Sequence, residues 1–203
     1  MDKHAICKGV AALAFTGAVA GCTASPTLVY GDSLVVQVGT VPGAEVHASN
    51  GTNACDWEQQ IRQDTARHPV RVLLVFTGNP WSAPSLQAWQ TYGPGGVGVV
   101  QAECMRVIRR ILPASTQLVV MSTLACRTAW PNGSPLINKQ WQQMALTSPN
   151  TQWRTYTDDS LTPGHVFVVR DSRGVLRAPD GVHLVAPAGY DAYRDAISRA
   201  VGG

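Results

Sequence analysis

The run of residues 70–77 is the feature that most constrains the fold of this chain. Its sequence, Val-Arg-Val-Leu-Leu-Val-Phe-Thr, is almost continuously apolar and rich in β-branched side chains. A strand needs this composition when both of its faces are covered, as they are in a parallel sheet. The run therefore predicts an inner strand of an α/β domain.

Strand and helix patterns alternate along the rest of the chain. The predicted strands are residues 27–30, 44–48, 117–122 and 152–157, and the predicted helices are residues 56–67, 99–112, 138–145 and 187–201. Residues 34–38 are apolar and ambiguous between strand and helix. Asp-Ser-Arg-Gly, between residues 166–169 and 175–177, indicates a hairpin, and residues 78–98, rich in Pro, Gly and Trp, indicate a long functional loop. The alternation predicts a parallel sheet with helices on both faces and its chemistry at the carboxyl ends of the strands.

The first residues have the pattern of a secretory signal. Lys3 and Lys8 form a short basic start, and residues 10–20 are an apolar run too short to span a bilayer comfortably. The run leads to Val-Ala-Gly-Cys at Cys22, which resembles the lipobox of bacterial lipoproteins. We expect a signal peptide at residues 1–21, a lipidated Cys22 with a tether to residue 26, and one domain over residues 27–203. A secreted domain released by ordinary cleavage is the alternative.

Charge argues against a nucleic-acid partner. Residues 1–21 contain two of the 16 Lys and Arg residues and one of the 13 Asp and Glu residues, so 14 and 12 remain. The resulting net charge of about +2 is too small to indicate nucleic-acid binding. No later apolar run reaches transmembrane length. We therefore expect membrane contact through a lipid anchor on Cys22, at the extracytoplasmic face of the cell membrane.

Three cysteines follow Cys22, and the sequence leaves their pairing open. They are Cys55, Cys104 and Cys126. Outside the cytosol two of them can form a disulfide, which would leave one thiol over. The sequence has no Cys-x-x-Cys motif and no paired His and Cys spacing, so it predicts no zinc site.

Three short segments carry polar residues suited to chemistry. Gly-Asp-Ser, ending at Ser33, follows the first strand, where backbone N–H groups can bind an oxyanion. Thr-Gly-Asn, ending at Asn79, follows the strongest strand, and its side-chain amide can donate to the same anion. Asp180 precedes His183 by three residues, so its carboxylate can orient the imidazole. Each segment alone is also compatible with an ordinary turn or a solvated loop.

Together, the order and spacing of these segments resemble the SGNH hydrolase family, also called GDSL esterases and lipases. The resemblance extends from residue 28 to about residue 190. It implies a catalytic triad of Ser33, His183 and Asp180, and an oxyanion hole formed by the N–H groups of Ser33 and Gly51 and the amide of Asn79. Gly51 matches the family's glycine after the second strand, and Gly43 is the other candidate. The implied fold is a three-layer α/β/α sandwich with a flavodoxin-like, five-stranded parallel sheet.

The resemblance implies acyl transfer in two steps, without a metal or an organic cofactor. The expected substrates are carboxylic esters on a cell-envelope glycan, a lipid or a small molecule. An O-acyltransferase with the same triad is one alternative, and a non-catalytic binding lipoprotein on the same fold is another. The presence of all the implied catalytic residues disfavours the second alternative. The rival serine-hydrolase signature Gly-x-Ser-x-Gly does not occur.

Other conspicuous residues are interpreted more simply. Asp32, beside the implied nucleophile, is expected to be structural. The histidines without a partner motif, His47, His68 and His165, are expected at the surface or in turns. Trp81 and Trp89 fall in the predicted loop, where their rings can stack on sugars or line an acyl pocket. The remaining tryptophans, Trp57, Trp130, Trp141 and Trp153, are expected to pack in the core.

Overall fold

A computed structural model of the chain describes residues 25–125 and 134–203. Within these residues, five parallel strands form one central sheet in the order β2-β1-β3-β4-β5. The strands are β1 (Thr27–Gly31), β2 (Glu45–Ala48), β3 (Arg71–Val75), β4 (Gln117–Met121) and β5 (Thr151–Arg154). This confirms the predicted sheet. The signal-like segment, Cys22, Cys126 and Trp130 lie outside the described residues, and the predictions for them stay predictions.

Strand β3 lies in the middle of the sheet, and this position explains its composition. Leu73 pairs with Val29 of β1 on one side and with Val119 of β4 on the other. The side chains of residues 72–75 are fully buried. Val72 and Leu74 pack into one core cluster, whereas Leu73 packs into the other, as the two-residue period of a strand requires.

Helices cover both faces of the sheet and complete the predicted three-layer arrangement. They are α1 (Ser33–Val38), α2 (Glu58–Asp64), α3 (Ala83–Ile111), α4 (Ser134–Thr147), α5 (Tyr156–Leu161) and α6 (Ala188–Gly202). One core cluster contains Met105 of α3 and Trp141 of α4, and the other contains Leu34 of α1 and Ile197 of α6. The sheet is therefore buried between two apolar helix layers.

The segment that was ambiguous in the sequence is helix α1. The Asp32 side chain caps it by accepting a hydrogen bond from the Leu34 backbone N–H at 3.1 Å. The helix ends at Gly39, whose φ of +66° favours glycine. The Gly-Asp-Ser segment therefore starts a helix at Ser33.

The prediction of a long loop over residues 78–98 is wrong, because α3 begins at Ala83 and continues to Ile111. Pro84 lies in the first turn, where a missing N–H leaves no intrahelical hydrogen bond unmade. Gly93, with φ +63° and ψ −153°, interrupts the helix, and Pro94 follows it. The proline and glycine residues thus mark a helix start and a kink.

A small antiparallel hairpin leads the chain back to the carboxyl edge of the sheet. Its strands are β6 (Arg170–Asp171) and β7 (Gly174–Val175), which confirms the hairpin predicted around Asp-Ser-Arg-Gly. Arg177 then pairs with Leu184 in an isolated antiparallel bridge. The N–H of Ala178 donates to the carbonyl of His183 at 2.8 Å. These bonds close a loop over residues 178–184.

Cys55 and Cys104 form a disulfide, which answers the pairing left open by the sequence. The bond joins the short 3-10 helix Ala54–Trp57 to α3 across 49 residues of sequence. Cys55 lies in the connection between β2 and α2. The disulfide therefore fixes that connection to the helix layer.

We expect loss of this disulfide to destabilise the domain. A cross-link across a loop of this length restricts the unfolded chain and contributes roughly 3–4 kcal/mol in the loop-entropy account. The Cys55→Ala/Cys104→Ala variant should therefore unfold at a lower urea concentration, with a free energy of unfolding reduced by about that amount. A reductant should weaken the wild type similarly and leave the double variant unchanged. A double variant as stable as the wild type would contradict this role.

Candidate active site

The carboxyl edge of the sheet brings together the loops that follow β1, β2 and β3. These loops are neighbours because β1 lies between β2 and β3 and all three strands are parallel. Ser33 is the first residue of α1, directly beyond β1, and is partly exposed. At a helix start, backbone N–H groups lack intrahelical partners. Ser33 therefore lies between the loop of Gly51 and the loop of Asn79.

Asp32 is fully buried and joins α1 to the end of β3. Its Oδ1 accepts from the N–H of Leu34 at 3.1 Å, and its Oδ2 accepts from the backbone N–H and the hydroxyl of Thr77 at 2.7 and 2.6 Å. Burial raises the pKa of this carboxyl, and the hydrogen bonds from Thr77 and Leu34 act in the opposite direction. Asp32 thus has a structural role, which agrees with its interpretation from the sequence.

Asn79 lies beyond β3, and its side-chain amide is directed at both neighbouring loops. The Nδ2 atom donates to the carbonyl oxygen of Thr52 at 2.6 Å and lies 3.5 Å from Asp32 Oδ2. The Oδ1 atom accepts from the N–H of Trp81 at 3.3 Å. One amide proton is thus held by a short bond and the other by a long one. The second contact is weak, so an oxyanion could replace it at little cost.

Gly51 lies in an exposed turn after β2, with a φ of +74° that favours glycine. The next residue, Thr52, fixes this turn to β1, since its hydroxyl lies 3.2 Å from the carbonyl of Gly31. Gly43, the other candidate, precedes β2 and therefore lies at the opposite edge of the sheet. Position excludes Gly43 as an oxyanion donor, and Gly51 stays the predicted one.

Two buried amides that the sequence analysis did not assign to the site support Asn79. Asn53 Nδ2 donates to the carbonyl of Asn79 at 3.3 Å and to the hydroxyl of Ser82 at 2.5 Å. Gln101, from the second part of α3, donates its Nε2 to the same carbonyl at 2.8 Å. Both side chains are fully buried. They fix the backbone of Asn79 from two sides.

The sequence contains a signal for Gln101 but none specific to Asn53. Gln101 lies four residues after Val97 and four before Met105, so a polar amide interrupts the apolar stripe of a helix. A polar side chain in such a position needs a hydrogen-bond partner in the folded chain. Asn53 has the pattern of an ordinary helix start, and it does accept from the N–H of Cys55 at 3.0 Å.

Asp180 and His183 form a hydrogen-bonded pair in the loop over residues 178–184. Asp180 Oδ2 lies 2.7 Å from His183 Nδ1, and Oδ1 accepts from the N–H groups of Val182 and His183 at 2.8 and 2.9 Å. Partial burial acts to raise the pKa of Asp180, but the bonds from the His183 ring and the two N–H groups lower it to about 2. The carboxylate is therefore ionised at neutral pH. It favours the tautomer with its proton on Nδ1, which leaves Nε2 as the basic nitrogen.

The Asp180–His183 pair lies beside α1. Leu184, the residue after His183, donates its N–H to Oε1 of Gln37 at 3.1 Å. Gln37 lies four residues after Ser33 in α1, so the two side chains project from the same face of the helix. The structure thus places the imidazole loop and Ser33 on the same side of the sheet.

The structure changes two expectations about aromatic residues, those for His47 and Trp89. His47, expected at the surface or in a turn, lies in β2, where it stacks on Tyr30 and lies 3.0 Å from a carboxylate oxygen of Glu45.

Trp89, expected in a loop, lies in α3 and packs against the core, whereas Trp81 is 69% exposed. The packing role expected for Trp57, Trp141 and Trp153 is confirmed. His68 lies in a turn, as expected, and the side chain of His165 lies outside the described part.

The polar groups at this edge are a hydroxyl, an imidazole, a carboxylate and amides, the set that a serine acyl transfer uses. Residues 25–125 and 134–203 contain no group of three or more His, Cys, Asp or Glu side chains placed to hold a metal ion. In the same ranges no helix has the length and apolar character needed to cross a membrane.

Solved structures of ester-acting proteins share this architecture. The C-terminal catalytic domain of peptidoglycan O-acetyltransferase A from Streptococcus pneumoniae has a TM-score of 0.57 at 15% identity, covering 88% of this chain and 93% of that one. A protein described as a GDSL-like lipase, from Parabacteroides merdae, has a TM-score of 0.57 at 14% identity, and the match covers 88% of this chain and 96% of that one. An acetylxylan esterase from Geobacillus stearothermophilus has a TM-score of 0.54 at 14% identity, and the match covers 89% of this chain and 95% of that one. No protein-family model and no curated protein matches the sequence.

At this level of identity the similarity concerns the fold. It extends over most of this chain and of each similar chain. Sheet order, helix layers and the position of the Gly-Asp-Ser segment after β1 agree with it. The chain therefore has the α/β/α fold of the SGNH hydrolases, the family that its sequence motifs resemble.

Proposed function

We propose that this chain is a serine ester hydrolase, with Ser33 as nucleophile and His183, paired with Asp180, as base. The observation that carries the proposal is the 2.7 Å contact between Asp180 Oδ2 and His183 Nδ1, in a loop bonded to the helix that Ser33 begins. This contact favours the tautomer in which Nε2 can accept a proton. In the proposed site, the hydroxyl at this helix start and the oriented base act on one substrate.

The reaction consists of two acyl transfers. His183 Nε2 takes the hydroxyl proton of Ser33 while Oγ attacks the ester carbonyl carbon, and the alcohol leaves with that proton. Water then attacks the acyl-enzyme, gives a proton to His183, and releases the carboxylic acid as Ser33 regains its proton. In both steps the oxyanion accepts hydrogen bonds from the N–H groups of Ser33 and Gly51 and from Asn79 Nδ2.

Buried contacts support the oxyanion donors before substrate binds. Asn79 Nδ2 is bonded to the Thr52 carbonyl, so the loop of Gly51 and the loop of Asn79 are held together. Asn53 and Gln101 hold the backbone of Asn79 through its carbonyl. Donors that are fixed in advance need little reorganisation in the transition state, which is the condition for effective electrostatic stabilisation.

O-acyl groups on an extracytoplasmic glycan are the substrate class that we favour. The signal-like amino terminus supports a site of action outside the cytoplasm. Trp81, two residues beyond Asn79, is 69% exposed, and its flat indole offers a stacking surface for a sugar ring. Two of the similar structures are named for a peptidoglycan O-acetyltransferase and an acetylxylan esterase. Parallel assays with acetylated oligosaccharides and with aryl esters of increasing chain length separate glycan, lipid and small-ester substrates.

O-Acyl transfer to a sugar hydroxyl is the second candidate, and the likeness to the O-acetyltransferase domain supports it. The acyl-enzyme is the same, and a sugar hydroxyl replaces water as the acceptor. With an aryl acetate donor and an added oligosaccharide, release of acetate alone identifies a hydrolase, whereas an acetylated oligosaccharide identifies a transferase. A non-catalytic binding protein would form neither product and would not react with a serine-directed phosphonate.

Ser33→Ala should abolish hydrolysis of aryl acetates and leave the fold intact, because it removes the nucleophilic atom and little volume. The assay compares the hydrolysis rate, the mass of the phosphonate adduct and the thermal midpoint with those of the wild type. Ser115→Ala is the matched control, since Ser115 is exposed in the turn before β4, at the opposite edge of the sheet. Hydrolysis by a folded Ser33→Ala protein would refute the proposed mechanism.

Asn79→Ala should lower kcat by about 10²–10³ and change KM little, because an oxyanion donor acts mainly in the transition state. The thermal midpoint should also fall, since the bond to the Thr52 carbonyl is lost. Asn79→Asp should be no better than Ala, because a carboxylate cannot donate and repels the oxyanion. A lowered midpoint with near-normal kcat per folded molecule would remove Asn79 from the oxyanion hole.

Asp180→Asn should lower kcat by about 10²–10⁴, because the amide oxygen would stay on the N–H groups of Val182 and His183, so the NH2 would face His183 Nδ1 and favour the wrong tautomer. It should also reduce stability at neutral pH. The pKa of about 2 lies below the usual value for aspartate, so the carboxylate stabilises the fold above about pH 4 and this contribution is lost as pH falls toward 2. The difference in thermal midpoint between wild type and variant should shrink over the same range. A kcat within tenfold of the wild-type value would argue against Asp180 as the orienting group.

A further inference from the structure

Gln37 connects the helix of the proposed nucleophile to the loop of the proposed base. Its Oε1 accepts the N–H of Leu184 at 3.1 Å, and its Nε2 lies 3.4 Å from the hydroxyl of Tyr190 in α6. A backbone N–H can only be met by an acceptor, so the amide oxygen faces Leu184 and the nitrogen faces Tyr190. One side chain, a single turn after Ser33, therefore reaches both the imidazole loop and α6.

The hydrogen bond that Gln37 accepts comes from the peptide unit that joins His183 to Leu184. The carbonyl of His183 and the N–H of Leu184 belong to the same peptide plane. The carbonyl accepts from Ala178 at 2.8 Å, inside the loop, and the N–H donates to Gln37, outside it. The internal bond restrains the shape of the loop, and the bond to Gln37 restrains its orientation relative to α1.

Packing alone does not provide this orientation. The side chain of Leu184 is buried in the same cluster as Leu34 of α1, but apolar contacts are non-directional. The His183 side chain itself is 44% exposed, so few neighbouring atoms restrict it. The bond to Gln37 is a directional contact between this loop and α1, so it can set the distance between imidazole and hydroxyl.

We propose that Gln37 is a positioning residue that holds His183 in register with Ser33. This inference rests on the proposed function, because it assigns Gln37 a part in the same proton transfer. General-base catalysis needs a donor–acceptor separation of about 2.6–3.2 Å. A displacement of about 1 Å in an active site can lower the rate about 10²-fold. The effect of losing Gln37 should therefore appear in kcat more than in KM.

Arg194 offers a matched comparison for a purely structural role. It donates to the carbonyl of Val38 at 2.9 Å and so also links α6 to α1, one residue from Gln37. Its other bond is to Asp191, in its own helix, at 2.9 Å. Arg194 thus joins the same two helices without bonding to the loop over residues 178–184.

The test uses three variants of the full chain. Gln37→Met keeps the length of the side chain and removes both polar atoms. Gln37→Glu keeps an acceptor for the N–H of Leu184. Arg194→Met removes the comparison link. For each variant we would measure kcat and KM for an aryl acetate, the rate of Ser33 modification by a phosphonate, the thermal midpoint, and amide hydrogen exchange at Leu184.

We expect Gln37→Met to lower kcat by about 10–100-fold with KM nearly unchanged, to slow the phosphonate reaction similarly, and to accelerate exchange at Leu184. Gln37→Glu should recover most of both rates and the slow exchange, because the acceptor is kept. Arg194→Met should lower the thermal midpoint but leave kcat and exchange at Leu184 close to their wild-type values.

Three results would overturn the inference. They are a wild-type kcat per folded molecule in Gln37→Met, an equal loss of kcat in Arg194→Met, and unchanged exchange at Leu184 in Gln37→Met. Measurements on the wild-type protein test the proposed function separately. A wild type that reacts while Gln37→Met reacts equally fast refutes the inference alone, whereas a wild type inert to both ester and phosphonate refutes the proposed function and the inference with it.

Discussion

The buried carboxylate of Asp32 is the contact on which the rest of the site depends. It caps α1 through Leu34 and accepts two hydrogen bonds from Thr77, so one side chain joins the ends of two adjacent strands. A buried carboxylate is tolerated only when its oxygens accept hydrogen bonds, and each donor left without this acceptor would be a buried unsatisfied group, at about 1–3 kcal/mol. Acceptor and donors therefore require one another. This mutual requirement fixes Ser33 beside the loop of Asn79 before any substrate binds.

The same kind of contact continues along the carboxyl edge of the sheet. The hydroxyl of Thr123 donates to the carbonyl of Thr77 at 2.5 Å, and the Asn138 amide binds the N–H and the carbonyl of Thr123 at 2.8 and 3.2 Å. The hydroxyls of Ser122 and Thr157 lie 2.9 Å apart. The apolar layers provide most of the driving force for folding, but they are non-directional. The directional contacts at this edge select one set of loop conformations from those that the apolar core permits.

The two halves of the proposed site are held by different physical means. In the oxyanion half, Asn79 is buried, is supported by the buried amides of Asn53 and Gln101, and lies near the Cys55–Cys104 disulfide. The base half is open to water, since the side chains of Asp180 and His183 are 49% and 44% exposed. Substitutions in the buried half should therefore change stability and rate together. In the exposed half orientation depends on a few hydrogen bonds, so their loss should change the rate more than the stability.

Local patterns predict a residue's environment, whereas its role depends on the group that the fold places opposite it. Residues 70–77 predict β3 because burial on both faces imposes their composition. The glycines of residues 78–98 indicate a loop by local rules, yet a Cβ at Gly98 would lie 3.0 Å from the Cα of Ile137 in α4, so this glycine permits two helices to pack closely. Ser33, Asp180 and His183 are recognisable because their motifs are short and local. The partners of Gln101 and Gln37 lie 22 and 147 residues away in sequence, so a local pattern can mark Gln101 as a buried amide but cannot assign either amide its partner. A single sequence therefore contains the reactive groups of the proposed site, and only the folded chain identifies the groups that hold them in place.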